Sequence, residues 1–111
     1  MPPREVEILP QARAELKALA PREAQALFRA IAKLAVRGEE LGYPHTSAVQ
    51  TVSAPLRELR PRQGDSPVRA LYGRIGSRLV VAAIGPEAQA DPRGFARAVQ
   101  AALTRLAAVE S

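Results

Sequence analysis

The chain has no cysteine, no tryptophan, one histidine, and only two tyrosines and two phenylalanines. Without cysteine there are neither disulfides nor thiolate metal sites. His45 alone argues against a protein-supplied zinc site, which draws several His or Cys ligands, so neither a metal nor a cofactor is expected. No run of about 18 apolar residues is present, and a membrane partner is not expected. The opening "MPPREVEILP" places charges inside its first apolar stretch and has no signal-peptide h-region, which makes the cytoplasm the expected location. Lysine is scarce as well, with two against fourteen arginines.

What the chain does have is enough apolar sequence to fold. At 111 residues and 47% hydrophobic content it is expected to form one domain, 1–111, with its own core. "EVEIL" alternates Glu5 and Glu7 with Val6 and Ile8, the pattern of a short half-buried strand closed by Pro10. From Gln11 the period changes, and Ala12, Leu16 and Leu19 fall on one helical face. Pro21 stands where a second helix begins, and Leu27, Phe28, Ile31, Leu34 and Ala35 give that helix an apolar stripe. After an irregular connection, "GYPHTSAVQTVSAP", come three candidate strands: "LREL" ending near Arg60, Val68 to Ile75, and Arg78 to Ile84. Asp91 and Pro92 read as an N-cap and first helical position, and Phe95, Val99, Ala102, Leu103 and Leu106 line one face of a terminal helix. The expected class is α+β, in the order β-α-α-β-β-β-α.

Charge is unevenly spread along this pattern. Residues 1–56 carry seven basic and six acidic groups, residues 57–78 six and two, and residues 79–111 three and three. The excess therefore sits in "RELRPRQGDSPVRALYGRIGSR", where Arg57, Arg60, Arg62, Arg69, Arg74 and Arg78 face only Glu58 and Asp65. Such a cluster attracts a polyanion if the side chains share a surface. The competing reading is the solvated surface of a chain that prefers arginine. Alternation puts Arg69, Leu71, Gly73 and Ile75 on one side of their strand and Val68, Ala70, Tyr72 and Arg74 on the other, so Arg69 and Arg74 share a face only across a bulge.

This order, with the text inside it, resembles the RelE/ParE superfamily of bacterial type II toxins, most closely its HigB branch with phage-derived relatives. "LGYP" is similar to the "LG-x-P" that leads into the sheet in that branch. "LRELRP" resembles the family's "ELR" strand, "VRALYGRIGSRLVV" its "yRv-x-y" strand and hairpin partner, and "ADPRGFARAVQAAL" its terminal helix. The resemblance implies a small, mostly antiparallel twisted sheet with a helical hairpin on one face, a concave basic face on the other, and a C-terminal helix. It also implies a ribosome-dependent mRNA interferase, held inactive by a cognate antitoxin, usually a HigA-like helix-turn-helix protein. Arg60 matches the arginine of the "ELR" strand and Arg69 that of the "yRv" strand.

Cleavage of RNA by its own 2′-hydroxyl concentrates charge on a five-coordinate phosphate, which preorganised cations stabilise. Arginine binds phosphate with a planar fork and stays charged, but it is a poor proton acceptor, so an acid and a base must come from elsewhere. Tyr43, His45, Glu58, Tyr72 and Glu87 are the available groups. Arg60, Arg69 and Tyr72 form the candidate catalytic set of a metal-independent endoribonuclease, although packing is the competing role of a tyrosine inside a strand. Arg57, Arg62, Arg74 and Arg78 form the candidate RNA-binding set. Where many HigB-type toxins carry "F-x-K-K", this chain reads "AIGPEAQADP", with Ile84 near the aromatic position and Pro86 and Glu87 in place of the lysines. That exchange removes charge that would attract RNA. It keeps open a ParE-like gyrase inhibitor, or a degenerate toxin that only binds its antitoxin.

Overall fold

The computed structural model describes residues 5–110. Its elements are β1 (Val6–Ile8), α1 (Pro10–Lys17), α2 (Pro21–Arg37), β2 (Thr46–Ala48), β3 (Arg57–Leu59), β4 (Val68–Ile75), β5 (Arg78–Pro86) and α3 (Pro92–Glu110). The expected class and the expected helices are all present, with one strand more than the sequence pattern gave. That strand, β2, lies in the connection read as irregular. "TSA" has no periodicity of its own and is a strand only because it pairs with β3. Proline takes the first helical position in α1 and α2. The side chain of Asp91 caps α3, with the Gly94 N–H donating to Oδ1 at 2.9 Å.

The five strands lie in the order β1-β5-β4-β3-β2; β1 runs parallel to β5 and every other pair is antiparallel. Gly76, at φ 62°, makes the tight β4–β5 turn where an L side chain would be strained. The sheet is packed on both faces. Against one face lies the α1–α2 hairpin, with Leu16, Leu27, Ile31 and Leu34 meeting Leu59, Ala70, Tyr72, Val81 and Ile84. Against the other lies α3, with Phe95, Val99, Ala102 and Leu106 meeting Leu56, Leu71, Val80, Ala82 and Ala83. The alternation read along β4 is the one observed. The open concave face expected opposite the hairpin is reduced, because α3 covers β5 and much of β4. Phe28 also departs from the expected core and is 47% exposed, since it stands one helical step off the Leu27–Ile31–Leu34 line.

Strand β5 serves both cores through a bulge. Leu71 pairs with Ala83 but Tyr72 with Val81, so Ala82 is an extra residue and the alternation of β5 reverses there. Strand β1 ends at Ile8, and beyond it Arg105 of α3 donates from Nη1 to the Ala82 carbonyl at 2.9 Å. Glu15 of α1 accepts the Ile84 N–H at Oε1, 3.1 Å away, and forms a two-pronged pair with Arg105 at 3.0 and 3.1 Å. One ion pair thus joins the two helical layers across the sheet margin and satisfies backbone groups that the short β1 leaves open.

Close approach of α3 to the sheet involves Gly73 and Gly85 on the strands beneath it. A Cβ on Gly85 would lie 2.6 Å from the Cβ of Ala98, whereas one on Gly73 would meet only the rotatable Cδ1 of Leu106 at 2.9 Å. Gly85→Ala is therefore expected to cost about 1–3 kcal/mol by overpacking, and Gly73→Ala clearly less. Urea unfolding of both variants checks this, and equal losses would contradict the helix placement.

Candidate functional site

Strand pairing brings Arg60 and Arg69 together. The β3–β4 register matches Leu59 with Ala70 and Glu58 with Leu71, so Arg60, just past the end of β3, stands opposite Arg69 on the face that carries α3. Gly85 pairs with Arg69 on β5, and the space beside it is taken by Ala98 of α3. The β5–α3 connection then folds over this corner, anchored by the Glu87 N–H donating to the Pro67 carbonyl at 2.8 Å.

Arg69 is 5% exposed. Removing a guanidinium from water costs several kcal/mol unless its donors are met, and here three of the five N–H groups are hydrogen-bonded. Nη1 donates to the carbonyls of Ser66 and Val68 at 2.6 and 3.0 Å, and Nη2 donates to Glu87 Oε2 at 2.7 Å. Nε lies 3.4 Å from Glu58 Oε1 as an ion pair without hydrogen-bond geometry. The same Glu58 oxygen is 3.1 Å from Arg60 Nη2. Arg60 in turn lies over the Tyr43 ring, 5.5 Å from its centroid, in a cation–π contact. These groups line a cleft of about 460 Å³ walled also by Pro44, Ala88 and Gln89. It brings two guanidinium forks, two carboxylates and an exposed phenol into one place.

The other expected residues are elsewhere. Tyr72 is buried on the hairpin face, its hydroxyl 2.6 Å from Thr46 Oγ1, and does not reach the arginines of the cleft. Arg57 shares that face and donates from Nε to Thr46 Oγ1 at 3.3 Å. Arg74 pairs with Glu39 at 3.5 Å, as the alternation of β4 requires, and Arg78 pairs with Glu7 at 2.6 Å at the far end of the sheet. Arg62 stands at φ 52° in the short helical turn Pro61–Gly64. The run of arginines is therefore not one surface: contiguous sequence is divided among two faces, a turn and a sheet edge. Glu87, which reads in sequence as a lost lysine, is the residue that closes on Arg69. Among the described residues no group of His, Cys, Asp or Glu is arranged to hold a metal ion. No described helix is long and apolar enough to cross a membrane.

Residues 14–85 match the sequence profile of the family described as Phage derived protein Gp49-like (DUF891). No curated protein gives a significant match. Among solved structures the chain is similar to one from the toxin–antitoxin complex RelBE2 of Mycobacterium tuberculosis, at 21% identity and a TM-score of 0.57, covering 77% of this chain and 99% of that one. It is also similar to a mutant of E. coli toxin RelE in the free state, at 14% identity and a TM-score of 0.61, covering 88% and 96%. At these identities the likeness is one of fold, and the fold expected from the resemblance is the one observed.

Because Arg69 holds two carboxylates and two carbonyls in a buried corner, Arg69→Ala is expected to lower stability by roughly 3–5 kcal/mol, the range for breaking a buried pair. Arg69→Lys should retain part of this. Thermal and urea unfolding measure it, and a loss for Arg69→Ala below about 1 kcal/mol, the range of an exposed ion pair, would contradict the burial.

Proposed function

The chain belongs to the phage-derived Gp49-like family, and from that premise together with its RelE-like fold we propose that it is the toxin of a type II toxin–antitoxin pair, a ribosome-dependent endoribonuclease acting on mRNA. One observation carries the reading: Arg60 and Arg69 converge in a single cleft with Glu58, Glu87 and Tyr43. In the proposed reaction the two guanidiniums take the non-bridging oxygens of the scissile phosphate, where charge rises as phosphorus becomes five-coordinate. Glu58 is bound by both arginines and keeps them oriented. Glu87 has one ion pair, to Arg69, and stands at the cleft mouth, so it is the carboxylate that an incoming phosphate displaces. Freed from Nη2, it accepts the 2′-hydroxyl proton. The 2′-oxygen bonds to phosphorus, the bond to the 5′-oxygen breaks, and Tyr43 gives its phenolic proton to that leaving oxygen, yielding a 2′,3′-cyclic phosphate and a 5′-hydroxyl.

The proposed partner is a cognate antitoxin, by analogy with the toxin–antitoxin complex that shares the fold, and a HigA-like helix-turn-helix protein is the type to seek beside it. A second reading has one observation in its favour. Arg69 is already met by two carboxylates of its own chain, as in a fold that keeps antitoxin binding without the nuclease.

Induced expression with mapping of 5′ ends on ribosome-bound mRNA tests the proposal. The wild type should arrest growth and leave new mRNA ends. Glu87→Gln should fold normally and cut about 10²–10⁴-fold more slowly, the usual worth of a positioned acid–base group. Arg69→Lys, which keeps the charge and loses the fork, should also be impaired. Growth arrest without cuts would favour a gyrase-directed, ParE-like toxin, and a harmless wild type the antitoxin-binding remnant.

A further inference from the structure

A second cavity lies on the other side of Arg60, between α2 and the β3 end of the sheet, and it differs from the cleft in its charge. Its volume is about 310 Å³, and Arg29, Lys33, Arg60, Arg62 and His45 stand around a floor that includes Leu41 and Leu59. No carboxylate among the described residues lines it. Among the described residues Arg29, Lys33 and Arg62 make no ion pair, in contrast to Arg69, Arg74 and Arg78, each of which does. Arg60 Nη1 is buried with no hydrogen-bond partner. A desolvated guanidinium N–H left unmet is costly, and an anion acceptor relieves it.

Four cations stand at one cavity and, among the described residues, only Arg60 of the four has an ion pair, to Glu58; such a group repels itself and is stabilised by a multivalent anion. Arg29 and Lys33 are one helical turn apart on α2, so they present their charges to the same ligand. Arg62 is held in a left-handed conformation unusual for its residue type. The floor is apolar, with two alanines of α2 beside Leu41 and Leu59, and His45 supplies a ring on which a base can stack. The volume is at the small end of ligand sites, suited to one nucleotide unit.

We propose that this cavity binds a nucleoside monophosphate unit, its phosphate taken by Arg29, Lys33, Arg60 and Arg62 and its nucleoside laid on the apolar floor. The ligand is either a free nucleotide or one residue of a strand whose neighbouring phosphate lies in the cleft, because Arg60 lines both cavities. The proposal does not rest on the nuclease reading, and its test involves no cleavage.

His45 is the only histidine in the chain, so its ring signals in the NMR spectrum report on this cavity without ambiguity. Titration of the full chain with AMP should shift those signals saturably, and inorganic phosphate should bind more weakly. The double variant Arg29→Gln, Lys33→Gln should bind AMP at least about tenfold more weakly, a loss equivalent to about 1.4 kcal/mol. Arg22→Gln, Arg37→Gln removes the same charge from the same helix outside the cavity and should leave affinity within about twofold of wild type, the change expected from weak long-range screening. All four side chains are exposed, and retained dispersion of the spectrum verifies folding. A short single-stranded RNA that produces the AMP shifts assigns the site to a strand; AMP shifts without RNA shifts assign it to a free nucleotide. Absence of a saturable AMP shift overturns the proposal, as does equal weakening by the two double variants or phosphate binding as tight as AMP.

Discussion

Burial of strands β4 and β5 on both faces is the constraint from which the rest of this structure follows. With the helical hairpin on one side and α3 on the other, the middle of the sheet accepts mostly apolar side chains, and charged groups are driven to its margins. The bulge at Ala82 makes the double burial possible, because it turns Val81 and Ile84 toward one core and Val80 and Ala83 toward the other within a single strand. The Glu15–Arg105 pair then closes the margin that β1 is too short to cover. A buried sheet also dictates where a cleft forms: at the corner where β3 and β4 run out from beneath α3.

At that corner Arg69 is the charged side chain held deepest, and its environment is set by solvation. A guanidinium in a low-dielectric corner must meet acceptors of its own chain when no ligand is bound, and Glu58, Glu87 and two carbonyls are those acceptors. Under the proposed function the same requirement makes the corner selective. An incoming anion has to offer more than a carboxylate does, and a phosphate, with several oxygens matched to the arginine fork, meets that condition. The replacement of a basic step by Pro86 and Glu87, which in sequence reads as a loss of affinity for RNA, becomes in three dimensions the closing contact of the cleft.

Around Arg60 the two cavities divide the work of charge differently. On the α3 side cations and carboxylates are interleaved and nearly cancel, while on the α2 side Arg29, Lys33 and Arg62 stand unneutralised. Long-range attraction of a polyanion comes from uncompensated charge, and short-range chemistry from compensated, well-oriented charge. The molecule holds the two kinds on adjacent surfaces joined by one residue.

Much of this fold was legible in the chain because it depends on local chemistry. Proline at two helix starts, the Asp91 cap, the alternation of β4 and the Gly76 turn each act within a few residues of sequence. The resemblance of "LRELRP" and "VRALYGRI" to a known pattern also singles out Arg60 and Arg69. Strand β2, the bulge and the placement of Phe28 were not legible, since each is decided by a partner distant in sequence. The charge cluster was misleading for the same reason: six arginines within 22 residues were spread by period-two alternation and by turns, so that Arg57, Arg74 and Arg78 lie apart from the cleft of Arg60 and Arg69. Conversely, Arg29 and Lys33 lie in a stretch of nearly balanced charge and gave no signal, although the fold sets them beside Arg60 and Arg62. Sequence by itself determined the elements, their order and the residue types available for phosphate chemistry, because those follow from local propensity and spacing. Only tertiary structure decided which charges are neutralised and which stay free, because neutralisation depends on distances of a few ångströms between residues far apart in the chain.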